Sequence, residues 1–225
     1  MSCLASLYHR YPALVKIKTI IFDLDGTISD PLVGISTSIN YALNAYDYEV
    51  VDMEVVRPLV GPPLTEIFEQ LVGNITEPRM HELVDKYRER YAAVGYTENR
   101  IYDQIPHTIA ALSARDYELG VCTSKRADYA GKIVRMFQLH KHFSFVDGGD
   151  FGIHKVDQLR GLVANGLSPD SAIMVGDREV DISAAKGNNI ASVGVLWGFG
   201  SRTELQKAQP DHLLETPEDL LALFG

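Results

Sequence analysis

A chain of 225 residues, 46% of them hydrophobic, is long enough for one sizeable domain or for a domain carrying a smaller insertion. Its net charge of −9 argues against a nucleic-acid scaffold, which would present a basic face, and so against a nucleic acid polymer as partner. Small phosphates stay open, because a local cation overrides the overall field. Two cysteines, Cys3 and Cys122, make neither a disulfide framework nor a zinc site.

The first segment, Met1 to Lys18, is interrupted by His9, Arg10, Pro12 and Lys16. It lacks the apolar core and small-residue cleavage site of a leader, and no stretch of the chain approaches transmembrane length, so a cytoplasmic location off the membrane is expected. Residues 17–29 then read as a strand and a turn. Residues 31–99 carry only helical patterns: Ile35, Ile39, Leu43 and Tyr46, then Leu64, Phe68 and Leu71, then Met80, Val84, Tyr87 and Tyr91. Core packing explains these stripes. Pro58, Gly61, Pro62 and Pro63 mark a loop between them. Further on, apolar runs at 117–123, 143–146, 171–176 and 191–196 alternate with helical patterns at 126–138, 155–165 and 179–186. That alternation predicts a doubly wound parallel α/β sheet. The expected division is a core of residues 1–30 and 100–225 with an all-helical cap of residues 31–99, joined near Asp30–Leu32 and Arg100–Asp103. Cys122 falls within an apolar run and reads as a buried, inert thiol.

Four segments carry chemistry. The apolar run Ile20-Ile21-Phe22 ends in Asp23-Leu24-Asp25-Gly26-Thr27. Parallel sheets place ligands beyond the carboxyl ends of their strands, and two neighbouring acids there call for a cation or for one retained proton. After the strand at 117–122 comes Thr123-Ser124-Lys125. A hydroxyl at a strand end, followed by a helix N-terminus, can donate to a phosphate oxygen. Thr-Ser is equally an ordinary helix cap. Lys155 stands at the start of a helical pattern, where an ammonium offsets an incoming anion; an exposed helix-end lysine is the plain alternative. Finally, Ala172-Ile173-Met174-Val175 leads into Gly176-Asp177-Arg178-Glu179-Val180-Asp181. Asp177 and Asp181, at the entry to a helix, can face one point. Hard carboxylate oxygens beside a phosphate suit Mg2+.

These motifs, in this order, resemble those of the haloacid dehalogenase superfamily, and nearest its phosphoglycolate phosphatase-like and 5′-nucleotidase-like members with a helical cap. The resemblance implies a Rossmann-type core and hydrolysis of a small phosphate monoester through an aspartyl-phosphate on Asp23. It implies that Asp25 is the acid and base, that Thr123 and Lys155 hold the phosphate, and that Thr27 orients the turn among the phosphate-facing groups. Ser124 is expected to contribute backbone, with Lys125 at the rim. Magnesium is implied to sit on the carboxylates of Asp23 and Asp177 and the main-chain carbonyl of Asp25. Asp181 would hold a metal-bound water or Lys155. In the cap, Arg57 and Gly61 are expected to face the substrate, a small phosphorylated metabolite. A phosphomutase acting on a sugar phosphate, and a non-catalytic binding protein on the same fold, are the alternatives.

Overall fold

The computed structural model describes residues 17–150 and 152–225. The expectations about a leader, and about Cys3, lie outside the described residues. In chain order the elements are β1 (Thr19–Phe22), β2 (Ser29–Asp30), α1 (Leu32–Ala45), α2 (Met53–Val56), α3 (Leu64–Val72), α4 (Glu77–Ala93), β3 (Arg100–Ile101), α5 (Ile105–Ser113), β4 (Glu118–Arg126) and α6 (Ala127–Met136). They continue with β5 (Phe145–Gly149), α7 (Lys155–Ala164), β6 (Ala172–Gly176), α8 (Glu179–Lys186), β7 (Ala191–Val195), α9 (Arg202–Ala208), β8 (His212–Leu214) and α10 (Pro217–Leu223).

Six strands form one parallel sheet in the order β5-β4-β1-β6-β7-β8. This is the doubly wound α/β class that the alternation predicts. All four residues of β1 are buried, as a central strand covered on both faces must be. Successive side chains alternate between the faces. Ile20 and Phe22 join Val121, Val175 and Ile133 in one core, whereas Ile21 joins Cys122, Met174, Leu159 and Ala185 in the other. Burial pushes the Cys122 thiol pKa upward, consistent with an inert side chain.

Residues between β2 and β3 are helical and have a core of their own, with Ile39, Phe68, Leu83 and Tyr91 near its centre. The predicted stripes fall on α1, α3 and α4. Tyr129 of α6 also packs into this core. The two strands that flank the helical segment pair antiparallel, Ser29 with Ile101 and Asp30 with Arg100. They are the only elements of a second, two-stranded sheet among the described residues.

Two strand expectations need correction. The run at 143–146 becomes β5 at Phe145–Gly149. The run at 117–123 continues three residues further, to Arg126, because Arg126 pairs with Gly149 across a register shift. No helix of the described residues is long and apolar enough to cross a membrane.

Candidate active site

The register of three adjacent strands builds the site. Phe22 stands level with Val121 of β4 and Val175 of β6, so the residues one or two positions further along converge at the carboxyl ends of these strands. Asp23, Thr123 and Asp177 are those residues, and the Asp23 amide donates to the Val175 carbonyl at 2.9 Å. β1 is the strand at which the chain winds one way to β4 and the other way to β6, which is where open α/β sheets hold ligands.

Asp23, Asp177 and Asp181 are buried and each offers a carboxylate oxygen within 4.8 Å of the others. Lys155, the first residue of α7 and 1% exposed, reaches between two of them. Its Nζ lies 2.8 Å from Asp23 Oδ1 and donates to Asp181 Oδ1. Burial disfavours the ammonium, but Asp181 and then Asp23 more than offset this and raise its pKa. Burial likewise raises the pKa of Asp177 well above the ordinary carboxylate range, reinforced by Asp181 and Asp23. Asp181 is pushed up to about 6, again chiefly by burial, with Lys155 opposing the shift. Three acids therefore crowd one buried space with a single ammonium, which pairs with two of them. That arrangement suits a divalent cation bound by hard oxygen donors, because buried charge needs compensation.

The acid turns are locked together by backbone and hydroxyl donors. Asp177 accepts from Thr27 Oγ1 at 3.2 Å and from the Phe199 amide at 2.8 Å. Asp181 accepts from the Arg178 amide at 3.0 Å, capping α8. Gly26 is required here: its φ is +94°, and a Cβ would stand 2.2 Å from Asp177 Oδ2.

Asp25 faces a different partner. Its Oδ2 is 2.9 Å from Lys125 Nζ, while Oδ1 is buried without a hydrogen-bond partner among the described residues. Burial raises its pKa, and Lys125 pulls the other way. Lys125 Nζ also donates to Tyr91 Oη at 2.7 Å and lies 4.5 Å from the centre of that ring.

Above these groups lies a cavity between the sheet edge and the helical segment. Asp23, Asp25, Thr123, Ser124 and Lys125 form its floor; Gly61, Leu64, Ile67, Tyr87, Tyr91 and Tyr129 are among its walls. Thr123 is held by Gln158, whose Nε2 donates to its carbonyl at 3.1 Å. Ser124 is expected to contribute backbone, yet its Oγ is buried at the floor with no hydrogen-bond partner among the described residues.

Three of the expected residues take the following positions. Lys125 is not a rim residue, since its side chain is only 7% exposed. The extra length of β4 carries it under the helical segment, where Asp25 and Tyr91 compensate its charge. Thr27 is fully buried against Asp177 and is not among the residues lining the cavity. Arg57 is not among them either: its Nε lies 3.6 Å from Glu54 and its guanidinium 5.7 Å from the Phe199 ring. Gly61 does line the cavity, with φ at +128° and its Cα face against Arg178.

Sequence reasoning passed over Lys125, Tyr91, Gln158 and Arg178 as functional groups. The signal for Lys125 was its place two residues after Thr123 in a run with no helix breaker. Tyr91 gave none, because an aromatic at helical spacing reads as core.

The comparisons with known proteins agree with this geometry. The sequence model described as haloacid dehalogenase-like hydrolase matches residues 20–195. A 5′-nucleotidase of Pseudomonas aeruginosa is 38% identical over 204 residues, covering 89% of this chain and 92% of that protein. A phosphoglycolate phosphatase of Aquifex aeolicus is 30% identical, covering 92% and 96%. The tyrosine-protein kinase PtkA of Mycobacterium tuberculosis is 33% identical over 84% of this chain, which spans 65% of that longer protein. A crystal structure described as a predicted phosphatase from Clostridium acetobutylicum superposes with a TM-score of 0.86 at 34% identity, covering 91% of this chain and 96% of that one. The match runs from β1 through β7 and takes in both acid-bearing turns, Asp23–Asp25 and Asp177–Asp181, and the chain belongs to the haloacid dehalogenase-like hydrolase family.

Proposed function

We propose that this protein is a magnesium-dependent phosphatase that hydrolyses small phosphate monoesters through an aspartyl-phosphate on Asp23. The observation that carries the reading is the buried cluster of Asp23, Asp177 and Asp181, with Lys155 between Asp23 and Asp181 and Asp23 lining the cavity beneath the helical segment. The names of the P. aeruginosa and A. aeolicus relatives point the same way.

In this reading a carboxylate oxygen of Asp23 attacks phosphorus and the ester P–O bond breaks, its electrons leaving with the alcohol oxygen. Asp25 gives that oxygen a proton through Oδ1. Water then attacks the aspartyl-phosphate, Asp25 takes the proton back, and Asp23 leaves as carboxylate with inorganic phosphate as product. Thr123 and Ser124 donate hydroxyl protons to the phosphate oxygens, and Lys155 keeps the Asp23 oxygen in place. A magnesium ion held by the carboxylates of Asp23 and Asp177 with the Asp25 carbonyl would supply positive charge against the phosphate. Residues 31–99 act as the cap that excludes bulk water.

The cavity also bears on the leaving group. Its three cations are each matched to a carboxylate: Arg88 to Asp150 at 3.1 Å, Lys125 to Asp25 at 2.9 Å and Arg126 to Asp128 at 2.6 Å. Its walls are mostly apolar and aromatic. This favours an uncharged, amphipathic alcohol, such as a nucleoside, over one bearing a second anion. It also weighs against a mutase, whose bisphosphate intermediate needs a free cation for its second phosphate.

A panel of phosphate esters tests the reading. With magnesium, nucleoside 5′-monophosphates should release phosphate faster than phosphoglycolate or a hexose bisphosphate, and excess chelator should stop all release. Undiminished hydrolysis after exhaustive chelation, or phosphorus NMR showing phosphate moved within a sugar rather than released, would overturn it.

A further inference from the structure

We propose that Lys125 is a positioning residue that ties down one oxygen of Asp25, presents the other to the leaving group, and makes that alignment depend on Tyr91 of the helical segment. The inference rests on the reading of Asp25 as the acid. It goes beyond that reading by assigning a residue that neither the motifs nor the comparisons assign.

The two oxygens of Asp25 are in unlike surroundings. Oδ2 is 2.9 Å from Lys125 Nζ; Oδ1 is buried with no hydrogen-bond partner among the described residues, and Asp25 is among the residues lining the cavity. An untethered carboxylate can rotate about its Cβ–Cγ bond and offer either oxygen. One fixed by an ammonium on Oδ2 keeps Oδ1 aimed at whatever occupies the cavity. Proton transfer needs that aim, since donor and acceptor must come within about 2.6–3.2 Å.

Lys125 is itself held from the other side. Its Nζ donates to Tyr91 Oη at 2.7 Å and sits 4.5 Å from the Tyr91 ring centre. Tyr91 lies near the end of α4, and the Tyr87 ring stacks on it at 5.2 Å. The Tyr129 ring of α6 meets it edge-on at 5.3 Å. The ammonium therefore spans the boundary between sheet and helical segment. When the helical segment lies over the floor, Lys125 has both partners and Asp25 is set. When it lifts away, the ammonium loses Tyr91 and gains water, and Asp25 loses its fixed neighbour. Closure over the substrate and readiness of the acid are thereby one event.

The test separates alignment of an acid from packing. A p-nitrophenolate leaves without much protonation, whereas an alkoxide does not, so kcat/KM on the two ester types reads the acid. Lys125→Met and Tyr91→Phe are compared with Asp25→Asn on p-nitrophenyl phosphate and on ethyl phosphate. Lys125→Met should lose about 100-fold on the alkyl ester and less than about fivefold on the aryl ester, the range expected for a misaligned general acid. Tyr91→Phe, which keeps the ring and removes only the hydroxyl, should show the same skew at about fivefold, the worth of one hydrogen bond. It carries the test alone should the buried Lys125→Met variant not fold. Equal losses on both esters, or no loss, in these two variants while Asp25→Asn stays strongly skewed would overturn the role of Lys125. No skew in Asp25→Asn would instead overturn Asp25 as the acid, and the inference with it.

Discussion

The hydroxyl of Thr27 donates to Asp177 Oδ1 across 3.2 Å, joining the turn after β1 to the turn after β6, 150 residues later in the chain. The bond fixes which way the Asp177 carboxylate faces, with the Phe199 amide fixing its other oxygen at 2.8 Å. A group that orients a metal-binding carboxylate typically affects metal affinity by about 10–100-fold when removed. Thr27→Val should therefore raise the magnesium concentration for half-maximal hydrolysis by about tenfold or more and leave the rate at saturating magnesium much less changed. A magnesium titration of phosphate release checks this. An unchanged half-maximal concentration with a lowered plateau would place Thr27 on the substrate instead.

Arg178 links the acid loop to the helical segment. Its guanidinium donates to the carbonyl of Val60 and, through Nε, to Glu204 Oε1 at 2.8 Å. Its Cγ lies where a Cβ on Gly61 would come within 2.8 Å, and Gly61 has φ at +128°. Arg178→Met should lower stability by about 1–3 kcal/mol, because it leaves the carbonyl of buried Val60 without this partner, while Glu204 Oε1 keeps the Glu179 amide. Gly61→Ala should cost at least about 1 kcal/mol from backbone strain alone and push the same guanidinium aside. Urea unfolding of the two variants measures both effects. Wild-type stability in Gly61→Ala would show that the loop relaxes freely.

A pH-dependent contribution sits at the foot of α4. Arg90 holds Glu98 with two bonds, of 2.8 and 3.0 Å, and also reaches Ser38 Oγ at 3.1 Å. The Glu98 pKa is lowered, chiefly by the hydrogen bonds from Arg90. A carboxylate with a depressed folded-state pKa binds fewer protons folded than unfolded. Its contribution is present above the ordinary carboxylate range and is lost as pH falls through the folded value. Arg90→Met should thus cost about 1 kcal/mol at pH 7, the pair being partly exposed, and progressively less as pH falls through the lowered folded-state pKa of Glu98. Thermal melts of the wild type and variant across that range check the sign. A gap that widens in acid would contradict it.

The helical segment rests on its own packing. Phe68 is fully buried and meets Tyr87 edge-on at 6.5 Å. Phe68→Ala should cost about 3–5 kcal/mol if the segment unfolds together with the sheet. A separate early transition in calorimetry, with the sheet melting at its usual temperature, would mean the segment is an independent unit.

The strands that carry the acids were legible because β1 and β6 are apolar runs ending abruptly in Asp, a pattern set by burial on both faces. Other parts were not. β8 is three residues long, one of them polar, and lies at the sheet edge, so it has no period to read. The last residues of β4 look polar because they leave the core, and only pairing with Gly149 keeps them extended. Lys125 read as solvated, since a lysine is seldom buried without a partner. Its partners, Asp25 and Tyr91, lie 100 and 34 residues away, and only the fold brings them together. Arg57, expected from its place beside a loop to face the substrate, lies 3.6 Å from Glu54 and 5.7 Å from the centre of the Phe199 ring.

The most direct test of the account is chemical identification of the phosphorylated residue. Enzyme turning over a nucleoside monophosphate with magnesium is quenched in acid and treated with borohydride, which reduces an acyl-phosphate to the alcohol. Peptide sequencing by mass spectrometry should find homoserine at Asp23 and unmodified aspartate at Asp25. Reduction at Asp25, a stable phosphate on Ser124, or no modified residue in enzyme that is rapidly releasing phosphate would contradict Asp23 as the nucleophile.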